Sequence, residues 1–431
     1  MLRSDPEAHK SGLVDLLDAR RAVLEAVRPL APRPVPLEAA LGCVTAVALT
    51  ASSDLPSFAN SAMDGYALHA ADATTPPTRL RVVETITAGR TATVPVRSGE
   101  AVRIMTGAPV PPDVDAVVPV EHTAIDGEDV VVLERVETGA FVRTVGSDLA
   151  AGQPIFPAGT TITPRHVGVL AALGVGTVDV LPPPRVGVLS TGDEVARVSG
   201  PIGPGKVRDA NGPALLALLR QAQFEPVELG LVGDDDNAIG DALAGAAARC
   251  DAVVTSGGVS VGDVDYVKIV LDKLSGRTMR WMQLAIKPAK PFAFGLLEET
   301  GVPVFGLAGN PVSAMVGFEL LALPALKKMA GRTRIDRPVV RAITSVELRR
   351  ERDGKLHLIR VVVEPDARGD FRVRPSGGQG SHMSLAMANA NGLALVPNGD
   401  GVRAGEGVEV LLLDDTIPGG ITLEDALRRV P

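Results

Sequence analysis

The chain has 431 residues, of which 45% are hydrophobic, 22% are charged and 3% are aromatic, and its net charge is −8. A chain of this length is expected to form roughly two to four domains. A protein that binds nucleic acid through its phosphates needs clustered cations, and one that stacks on bases needs aromatic rings. The composition therefore argues against a nucleic-acid partner.

No targeting or membrane segment is recognisable. The first residues, MLRSDPEAHKSG, are polar and lack the apolar run of a signal peptide. No uncharged apolar window is long enough to cross a bilayer. Cys43 and Cys250 both lie among apolar residues, and two thiols make no disulfide framework. We therefore expect a cytoplasmic protein without a membrane partner.

The first part of the chain mixes helical and strand patterns. Apolar periodicity predicts a helix within residues 11–30, a second helix at Leu37–Leu49, and a third near Pro164–Leu173. Between them, residues 79–136 contain short apolar runs separated by glycine and proline turns. Such spacing predicts a β barrel or sandwich inserted into a discontinuous helical region.

After the linker Pro182-Pro183-Pro184 the chain alternates between strand and helix patterns, which is typical of an open parallel sheet. Asn211 is expected to cap the first helix of this region. Three of its strands end in polar loops: TGDE at 191–194, GDDD at 233–236 and SGGVSVGDVD at 256–265. Right-handed crossovers place such loops at the carboxyl edge of one sheet. We therefore expect the three loops to converge.

The chemistry of these loops suits a charged ligand. Paired glycines allow a close backbone approach to phosphate, and Glu194, Asp234, Asp263 and Asp265 supply the hard oxygen ligands that Mg²⁺ prefers. An isolated acidic run is more often a solvated helix start. Three such loops at one edge make the two interpretations about equal.

Two further segments offer groups for an anion. Lys287 and Lys290 lie in AIKPAKPFAFG, a pair of predicted strands interrupted by prolines. Each lysine is either a clamp for an anion or the charged guard of an edge strand. Asn310 and Ser313 open the last helix of this region, where ordinary capping is at least as good an explanation as anion binding.

The rest of the chain returns to short strands separated by glycine and proline turns, with a glycine-rich loop at 377–382. This pattern predicts a second β domain.

Six motifs, taken in order, resemble one known family. They are PSFANSAMDGYA at 56–67, GEAVRIMTGAPVP at 99–111, VGVLSTGDE at 186–194, TSGGVSVGDVDY at 255–266, AIKPAKPFAFG at 285–295 and GNPVSA at 309–314. The family is that of the molybdopterin molybdenumtransferases, which includes the bacterial MoeA proteins and the E domain of gephyrin. The resemblance covers about Leu13 to Leu413.

The resemblance implies an α/β plus β fold in an elongated four-domain chain. The expected parts are a discontinuous helical domain (1–53 and 149–183), an inserted β domain (54–148), a doubly wound α/β molybdopterin-binding domain (184–331), a C-terminal β-barrel (335–414) and a tail (415–431). It also implies a homodimer whose active cleft is shared by the two subunits. The molybdopterin adenylyltransferase and acceptor molybdoenzymes are the further partners expected.

The implied reaction is insertion of molybdate into adenylylated molybdopterin, with Mg²⁺, giving molybdenum cofactor and AMP. The resemblance assigns catalytic roles to Thr106, Asp148, Glu194, Asp265, Lys287 and Arg360. Metal binding would fall to Glu194, Asp234 and Asp265. Substrate binding would fall to Ser190, Thr191, Gly192, Asp234, Ser256, Gly257, Gly258, Ser260, Asn310, Pro311, Ser313 and Ser381.

The chain departs from the family pattern at three positions. Ala59 replaces an Asp, Gln283 replaces a common Lys, and Ala308 replaces a Pro. Because alanine neither binds a metal nor accepts a proton, Ala59 motivates one alternative, a pterin-binding paralogue with weak or no insertion activity. A scaffold or interaction protein is the other alternative, but the chain lacks the long disordered segment typical of that class.

Overall fold

The computed structural model describes residues 12–259, 266–366 and 369–414, together with Glu424, Leu427 and Arg428. The predicted tail therefore lies mostly outside the described residues. The chain forms two compact units. The small unit contains residues 34–41 and 45–180, and the large unit contains residues up to 33, residues 42–44 and residues from 181 onward.

The elements of the N-terminal part follow in chain order: α1 (Leu16–Ala26), β1 (Arg33–Pro36), a 3₁₀ turn (Leu37–Ala39), β2 (Val44–Thr45), β3 (Leu49–Thr50), β4 (Asn60–Ser61), β5 (Gly65–Leu68), a 3₁₀ turn (Ala70–Ala73), β6 (Thr78–Ile86), β7 (Glu100–Ile104), β8 (Ala116–Pro119), a 3₁₀ turn (Val120–His122), β9 (Thr123–Asp126), β10 (Asp129–Val132), β11 (Val142–Arg143), β12 (Pro154–Phe156), α2 (Pro164–Ala172) and β13 (Thr177–Leu181). The helices within residues 11–30 and near Pro164 are confirmed.

The predicted helix at Leu37–Leu49 is wrong. Only a 3₁₀ turn forms there, and β2 and β3 follow it. Gly42 has a φ of +78°, a left-handed conformation that ends a right-handed helix. The β-branched residues Val44 and Thr45 then pair with β13 in a small sheet.

The small unit is built around a six-stranded sheet with the order β8-β5-β7-β6-β10-β9. Five of its six strands lie at or within residues 78–132, the region of short apolar runs, whereas β5 precedes that region. Alternate residues of these strands, including Tyr66, Leu80 and Val130, are buried in one core. The boundaries proposed for the inserted domain remain a prediction.

The elements of the large unit after β13 are β14 (Arg185–Thr191), β15 (Val195–Ala196), β16 (Val207–Arg208), α3 (Asn211–Gln221), β17 (Glu225–Val232), α4 (Asp236–Ala247), β18 (Ala252–Ser256), α5 (Tyr266–Leu274), β19 (Arg280–Gln283), β20 (Ile286–Lys287), β21 (Pro291–Leu296), β22 (Pro303–Leu307), α6 (Pro311–Gly317), a π turn (Phe318–Ala322), α7 (Leu323–Met329), β23 (Val339–Thr344), β24 (Leu356–Pro365), β25 (Phe371–Pro375), α8 (Ser384–Ala388), β26 (Gly392–Val396) and β27 (Gly407–Leu412). None of the helices within the described residues is long and apolar enough for a membrane span.

The central sheet of the large unit has the order β17-β14-β18-β22-β21-β19. Strands β17, β14, β18 and β22 run parallel, and β21 is antiparallel to its neighbours. Leu215 of α3 packs with Val188 on one face, whereas Leu243 of α4 and Val270 of α5 pack with Val253 on the other. Helices thus cover both faces, as the doubly wound class requires.

The last strands close into a barrel. Five strands form the ring β24-β25-β23-β27-β26, because β26 also pairs with β24. The short strand β20 attaches to the outside of β24, whereas β21 belongs to the central sheet. The two strands read in AIKPAKPFAFG therefore lie in different sheets, and the segment connects the α/β part to the barrel.

Candidate functional site

Three loops meet at one edge of the central sheet. β17, β14 and β18 are consecutive neighbours and run parallel, so their carboxyl ends lie side by side. Ser190 is in register with Leu231 on one side and with Ser256 on the other. The expectation that the three loops begin at the carboxyl edge of one sheet is confirmed, although residues 260–265 of the third loop lie outside the described residues.

The two acidic loops are joined by reciprocal hydrogen bonds. The backbone N–H of Asp193 donates to Asp234 Oδ2 at 3.2 Å, and the backbone N–H of Asp234 donates to Asp193 Oδ1 at 3.1 Å. The Nζ atom of Lys206 also donates to the carbonyl of Asp193. Glu194 lies on the same loop, and its carboxylate packs beside Gly192. Two like charges are thereby held close together by amide donors.

Two of the predicted metal ligands lie at this edge of the sheet. Glu194 and Asp234 are exposed carboxylates on adjacent strand ends. No group of three metal-ligating side chains exists among the residues searched, which are the described ones. Mg²⁺ commonly takes one or two carboxylates and fills its other positions with water and phosphate oxygens. The other two carboxylates predicted from the sequence, Asp263 and Asp265, and the predicted substrate ligand Ser260 lie outside the described residues.

The glycine turn after β18 is shaped by close backbone contacts. Gly257 has a φ of +98°, and a Cβ there would lie 2.8 Å from both the carbonyl and the hydroxyl oxygen of Thr191. Gly258 has a φ of +67° and packs directly on Val267. Only glycine adopts this conformation in this space. The turn therefore holds Thr191, Ser256, Gly257 and Gly258 in one tight group.

Asn211 joins this group, although its sequence position suggested only a helix cap. Its Nδ2 atom donates to Ser256 Oγ at 2.6 Å and to the carbonyl of Gly309 at 2.7 Å. Asp209 accepts the backbone N–H groups of Asn211 and Gly212 instead. The prediction that Asn211 caps the helix is therefore wrong. The pattern Asp-x-Asn before a helix was the available signal.

A buried cation lies on the barrel side of the large unit. Arg360 is in the middle of β24, and its side chain is fully buried, with 0% of its surface exposed. Its Nη2 atom donates to the carbonyls of Gly378 and Gly380 at 2.9 and 3.2 Å. Its Nε and Nη1 atoms have no partner among the described residues. Burial lowers the pKa of Arg360, and no carboxylate of the described residues opposes the effect.

Gln379 fixes the glycine-rich loop to the strand of Arg360. Its Oε1 atom accepts the backbone N–H of Arg360 at 2.9 Å, and its Nε2 atom donates to the carbonyl of Arg360 at 3.2 Å. The loop then continues to Ser381, whose carbonyl accepts the N–H of Val312 at 3.2 Å. Gln379 was not among the predicted site residues.

The start of α6 connects the two halves of this region. Gly309 is bound by Asn211, and Val312 is bound by Ser381. Asn310, Pro311 and Ser313 lie in this same short stretch, with Ser313 buried and Asn310 exposed. The structure thus places the predicted residues of α6 between the strand-end loops and the Arg360 loop.

Lys287 lies on β20, at the edge of the barrel. It is exposed, and its register partner is His357 on β24, three residues before Arg360. Burial lowers the pKa of His357, Asp353 opposes this shift, and the positive charges of Arg350 and Lys287 add to it. The side chain of Lys287 therefore lies close enough to His357 for its charge to act.

Thr106 and Asp148 belong to the small unit. Asp64 accepts both the backbone N–H and the hydroxyl of Thr106 at 2.7 Å, and these two hydrogen bonds lower the pKa of Asp64. The backbone N–H of Asp148 donates to the carbonyl of Leu55 at 3.0 Å. Residues of the 55–64 loop therefore form hydrogen bonds with both Thr106 and Asp148. Asp64, in the motif MDGY, orients the Thr106 hydroxyl and was missed by the sequence analysis.

Family models match nearly the whole chain. A model of the MoeA N-terminal region, domains I and II, matches residues 14–174. A model described as a probable molybdopterin binding domain matches residues 187–328, and a model of the MoeA C-terminal region, domain IV, matches residues 342–413.

Individual relatives agree with these matches. The chain is 36% identical to molybdopterin molybdenumtransferase 2 of Mycobacterium tuberculosis over 92% of this chain and 98% of the relative. It is 35% identical to molybdopterin molybdenumtransferase of Haemophilus influenzae over the same shares. A crystal structure of a molybdopterin biosynthesis MoeA protein from Pyrococcus horikoshii superposes with a TM-score of 0.76 at 28% identity, covering 93% of this chain and 99% of that one. The chain therefore belongs to the molybdopterin molybdenumtransferase family.

Proposed function

We propose that this transferase of molybdenum cofactor biosynthesis inserts molybdate into adenylylated molybdopterin and releases AMP. The observation that carries the proposal is the environment of Arg360. Its guanidinium has five N–H donors, of which the one on Nε and the two on Nη1 have no partner among the described residues. A buried cation with free donors is costly unless a ligand completes it.

The position of Arg360 supports an anion at the interface between the barrel and the α/β part of the large unit. Leu356 and Leu358 precede it at alternate positions of β24, and both pack in the core that the barrel shares with the central sheet. Alternate residues of a strand share a face, so Arg360 faces the same way. The planar donors of arginine suit the oxygens of a tetrahedral oxyanion.

The two parts of the proposed site, the Arg360 region and the strand-end loops, carry opposite charges. We assign molybdate to Arg360, Lys287 and the Ser381 loop, where cationic groups and N–H donors collect. We assign adenylylated molybdopterin to the strand-end loops, with Ser190, Thr191, Gly192, Ser256, Gly257 and Gly258 nearest the turns and Asn310, Pro311 and Ser313 at the start of α6.

Magnesium is part of the proposal. Glu194 and Asp234, with Asp265, would hold Mg²⁺, which supplies charge neutralisation for the phosphates of the nucleotide. The carboxylates by themselves would repel an anionic substrate. Their exposure at this edge supports the proposed requirement for a cation.

We further propose that the protein is a cytoplasmic homodimer in which Thr106 and Asp148 of one copy complete the site of the other. A molybdopterin adenylyltransferase would then supply its substrate, and acceptor molybdoenzymes would take its product. Cross-linking between residues 106 and 194 of separately labelled copies tests the arrangement, and cross-links only within one copy would contradict it.

The direct test is an assay with purified protein, adenylylated molybdopterin, Mg²⁺ and molybdate. AMP should appear only when molybdate is present, and chelation of the metal should stop it. AMP release that is independent of molybdate, or no release at saturating substrate, would overturn the proposal.

Ala59 favours one second candidate, a paralogue that binds the pterin with little turnover. Ala59 is half-buried, and its carbonyl accepts the N–H of Val110 at 3.0 Å, so the loop is held whatever its side chain is. Under this alternative, the wild type binds adenylylated molybdopterin tightly without AMP release, and Ala59→Asp restores release. If Ala59→Asp changes nothing, this candidate is excluded.

A further inference from the structure

We propose that Asn211 is a positioning residue for the substrate, because its side chain ties the glycine turn after β18 to the turn after β22. The inference rests on the proposed function, since both turns carry residues assigned above to adenylylated molybdopterin. Nδ2 of Asn211 reaches Ser256 Oγ at 2.6 Å and the carbonyl of Gly309 at 2.7 Å. One amide thus spans two loops that are about 50 residues apart in sequence.

The orientation of this amide follows from its partners. A backbone carbonyl only accepts hydrogen bonds, so the group that faces Gly309 is the NH₂ and not the oxygen. An NH₂ group has two hydrogens, and Ser256 and Gly309 use one each. Ser256, having accepted a hydrogen bond, keeps its own hydroxyl hydrogen free to donate.

The two turns are already close, and Asn211 fixes their separation. The N–H of Gly257 donates to the carbonyl of Leu307 at 3.2 Å. A Cβ added at Gly309 would lie 3.9 Å from the Cα atom of Gly257. The backbones therefore pass with almost no side-chain volume between them, and Asn211 supports both from the face that α3 covers.

Two orphan atoms mark the side of this cluster that meets a ligand. Asn211 Oδ1 and Ser190 Oγ are buried and have no partner among the described residues, and Ser190 is only 3% exposed. Ser190 is the register neighbour of Ser256. Buried polar atoms are nearly always satisfied in folded proteins, so these two point to partners that arrive with the substrate.

The variant Asn211→Asp tests the role without changing side-chain size. It removes both N–H donors and sets a carboxylate against the carbonyl of Gly309. We expect the Kd of adenylylated molybdopterin, measured by calorimetry without molybdate, to rise about tenfold at neutral pH. Protonation of the new carboxyl restores one donor, so the affinity should recover largely by about pH 5, since burial raises the pKa of such a group.

A matched control exists in the barrel. Asn391 bonds both the N–H and the carbonyl of Val363, at 2.7 and 2.9 Å, and lies outside the proposed site. Asn391→Asp makes the same atomic exchange and should lower the Tm without changing the Kd or its pH dependence. An equal rise of the Kd in both variants would show a general structural role and overturn the proposal.

A ligand-free measurement separates this inference from the proposed function. Hydrogen exchange by mass spectrometry should be faster in Asn211→Asp over residues 252–259 and 303–312 and unchanged there in Asn391→Asp. If the wild type binds no adenylylated molybdopterin, the proposed function fails, and faster exchange still supports the tie between the turns. Unchanged exchange in Asn211→Asp would overturn the proposed role of Asn211. If the wild type binds adenylylated molybdopterin, a Kd of Asn211→Asp within about twofold of the wild-type value would also overturn that role.

Discussion

Two buried arginines of the same barrel region differ in how their donors are used. The side chain of Arg350 is 0% exposed, and all three of its nitrogens are paired. Its partners are the carbonyls of Glu351, Lys355, Val396 and Pro397, the carboxylate of Asp353 and the side chain of Asn398. The side chain of Arg360 is equally buried, but among the described residues only its Nη2 atom has partners.

This difference supports a structural role for Arg350 and the proposed ligand-binding role for Arg360. Burial lowers the pKa of both arginines, but Asp353 opposes the shift at Arg350, whereas no group in the described part of the chain opposes it at Arg360. Arg350 fastens the turn that leads into β24, whereas the unpaired donors of Arg360 are the basis of the oxyanion site proposed above. Burial alone would not have distinguished them. The number of paired N–H donors does distinguish the two arginines.

The largest expected effect follows from replacing Arg360. Arg360→Met should lower molybdate-dependent AMP release by roughly a hundredfold or more, because the proposed oxyanion loses its donors. Stability should change little or increase, since an incompletely paired buried charge is removed. The measurements are AMP release at saturating substrate and the Tm of the free protein. A Tm collapse together with full residual activity would reverse the comparison.

Replacing Arg350 should give the opposite pattern. Arg350→Met leaves several buried carbonyls without donors and should cost roughly 3 kcal/mol of stability. Activity per folded molecule should stay near wild type, because none of the partners of Arg350 is a proposed substrate ligand. Chemical denaturation followed by an assay at low temperature checks both points. Loss of activity without loss of stability would contradict the structural assignment.

The sequence predicted the acidic loops proposed to bind Mg²⁺ better than it predicted the arginine proposed to bind molybdate. Short apolar runs ending in TGDE, GDDD and SGG predict adjacent parallel strands, because glycine and acidic residues mark strand ends in any α/β sheet. Arg360 has no such local signal. It sits in an ordinary strand pattern, its burial appears only when five strands close into a barrel, and only the family resemblance pointed to it.

The errors of the sequence analysis have two origins, one local and one in contacts between distant residues. The periodicity over Leu37–Leu49 suggested a helix, but one left-handed glycine and two β-branched residues decided otherwise. Asn211 was read as a cap because local sequence contains no information about Ser256 or Gly309, which lie far along the chain. Asp64 was missed because its partner, Thr106, is 42 residues away.

A smaller effect is expected at the acidic loops. Asp234→Asn or Glu194→Gln should raise the Mg²⁺ concentration for half-maximal AMP release about tenfold, since each removes one charged ligand of the proposed cation. Asp236→Asn is the matched control, because Asp236 is exposed in the same acidic run but is not a proposed ligand. An equal shift in Asp236→Asn would show that only the general charge of the loop matters.

The smallest expected effect is a pH dependence of stability that arises from His357 and Asp353, which lie near Arg350. Burial lowers the pKa of His357 below its usual 6.5, so the folded state favours the neutral ring, and stability should fall as the pH drops below 6.5 toward the folded-state pKa. Asp353 acts in another range: burial raises its pKa, but hydrogen bonds from Lys355 and His357 outweigh this and lower it to about 2. Its contribution is therefore present above pH 3.8 and lost as the pH falls toward 2.

His357→Gln isolates the first of these ranges. The Tm of the wild type should decline between about pH 7 and pH 5, and the decline should be smaller in His357→Gln, which has no titrating ring. Identical Tm profiles over this interval would show that His357 does not carry the dependence.

Molybdate titration by calorimetry tests the difference between the two arginines most directly. The free donors of Arg360 predict saturable binding of molybdate to the wild type and to Arg350→Met at a temperature where that variant is folded, and no measurable binding to Arg360→Met. Binding of equal affinity by Arg360→Met and wild type would show that the free donors of this buried guanidinium do not hold the oxyanion.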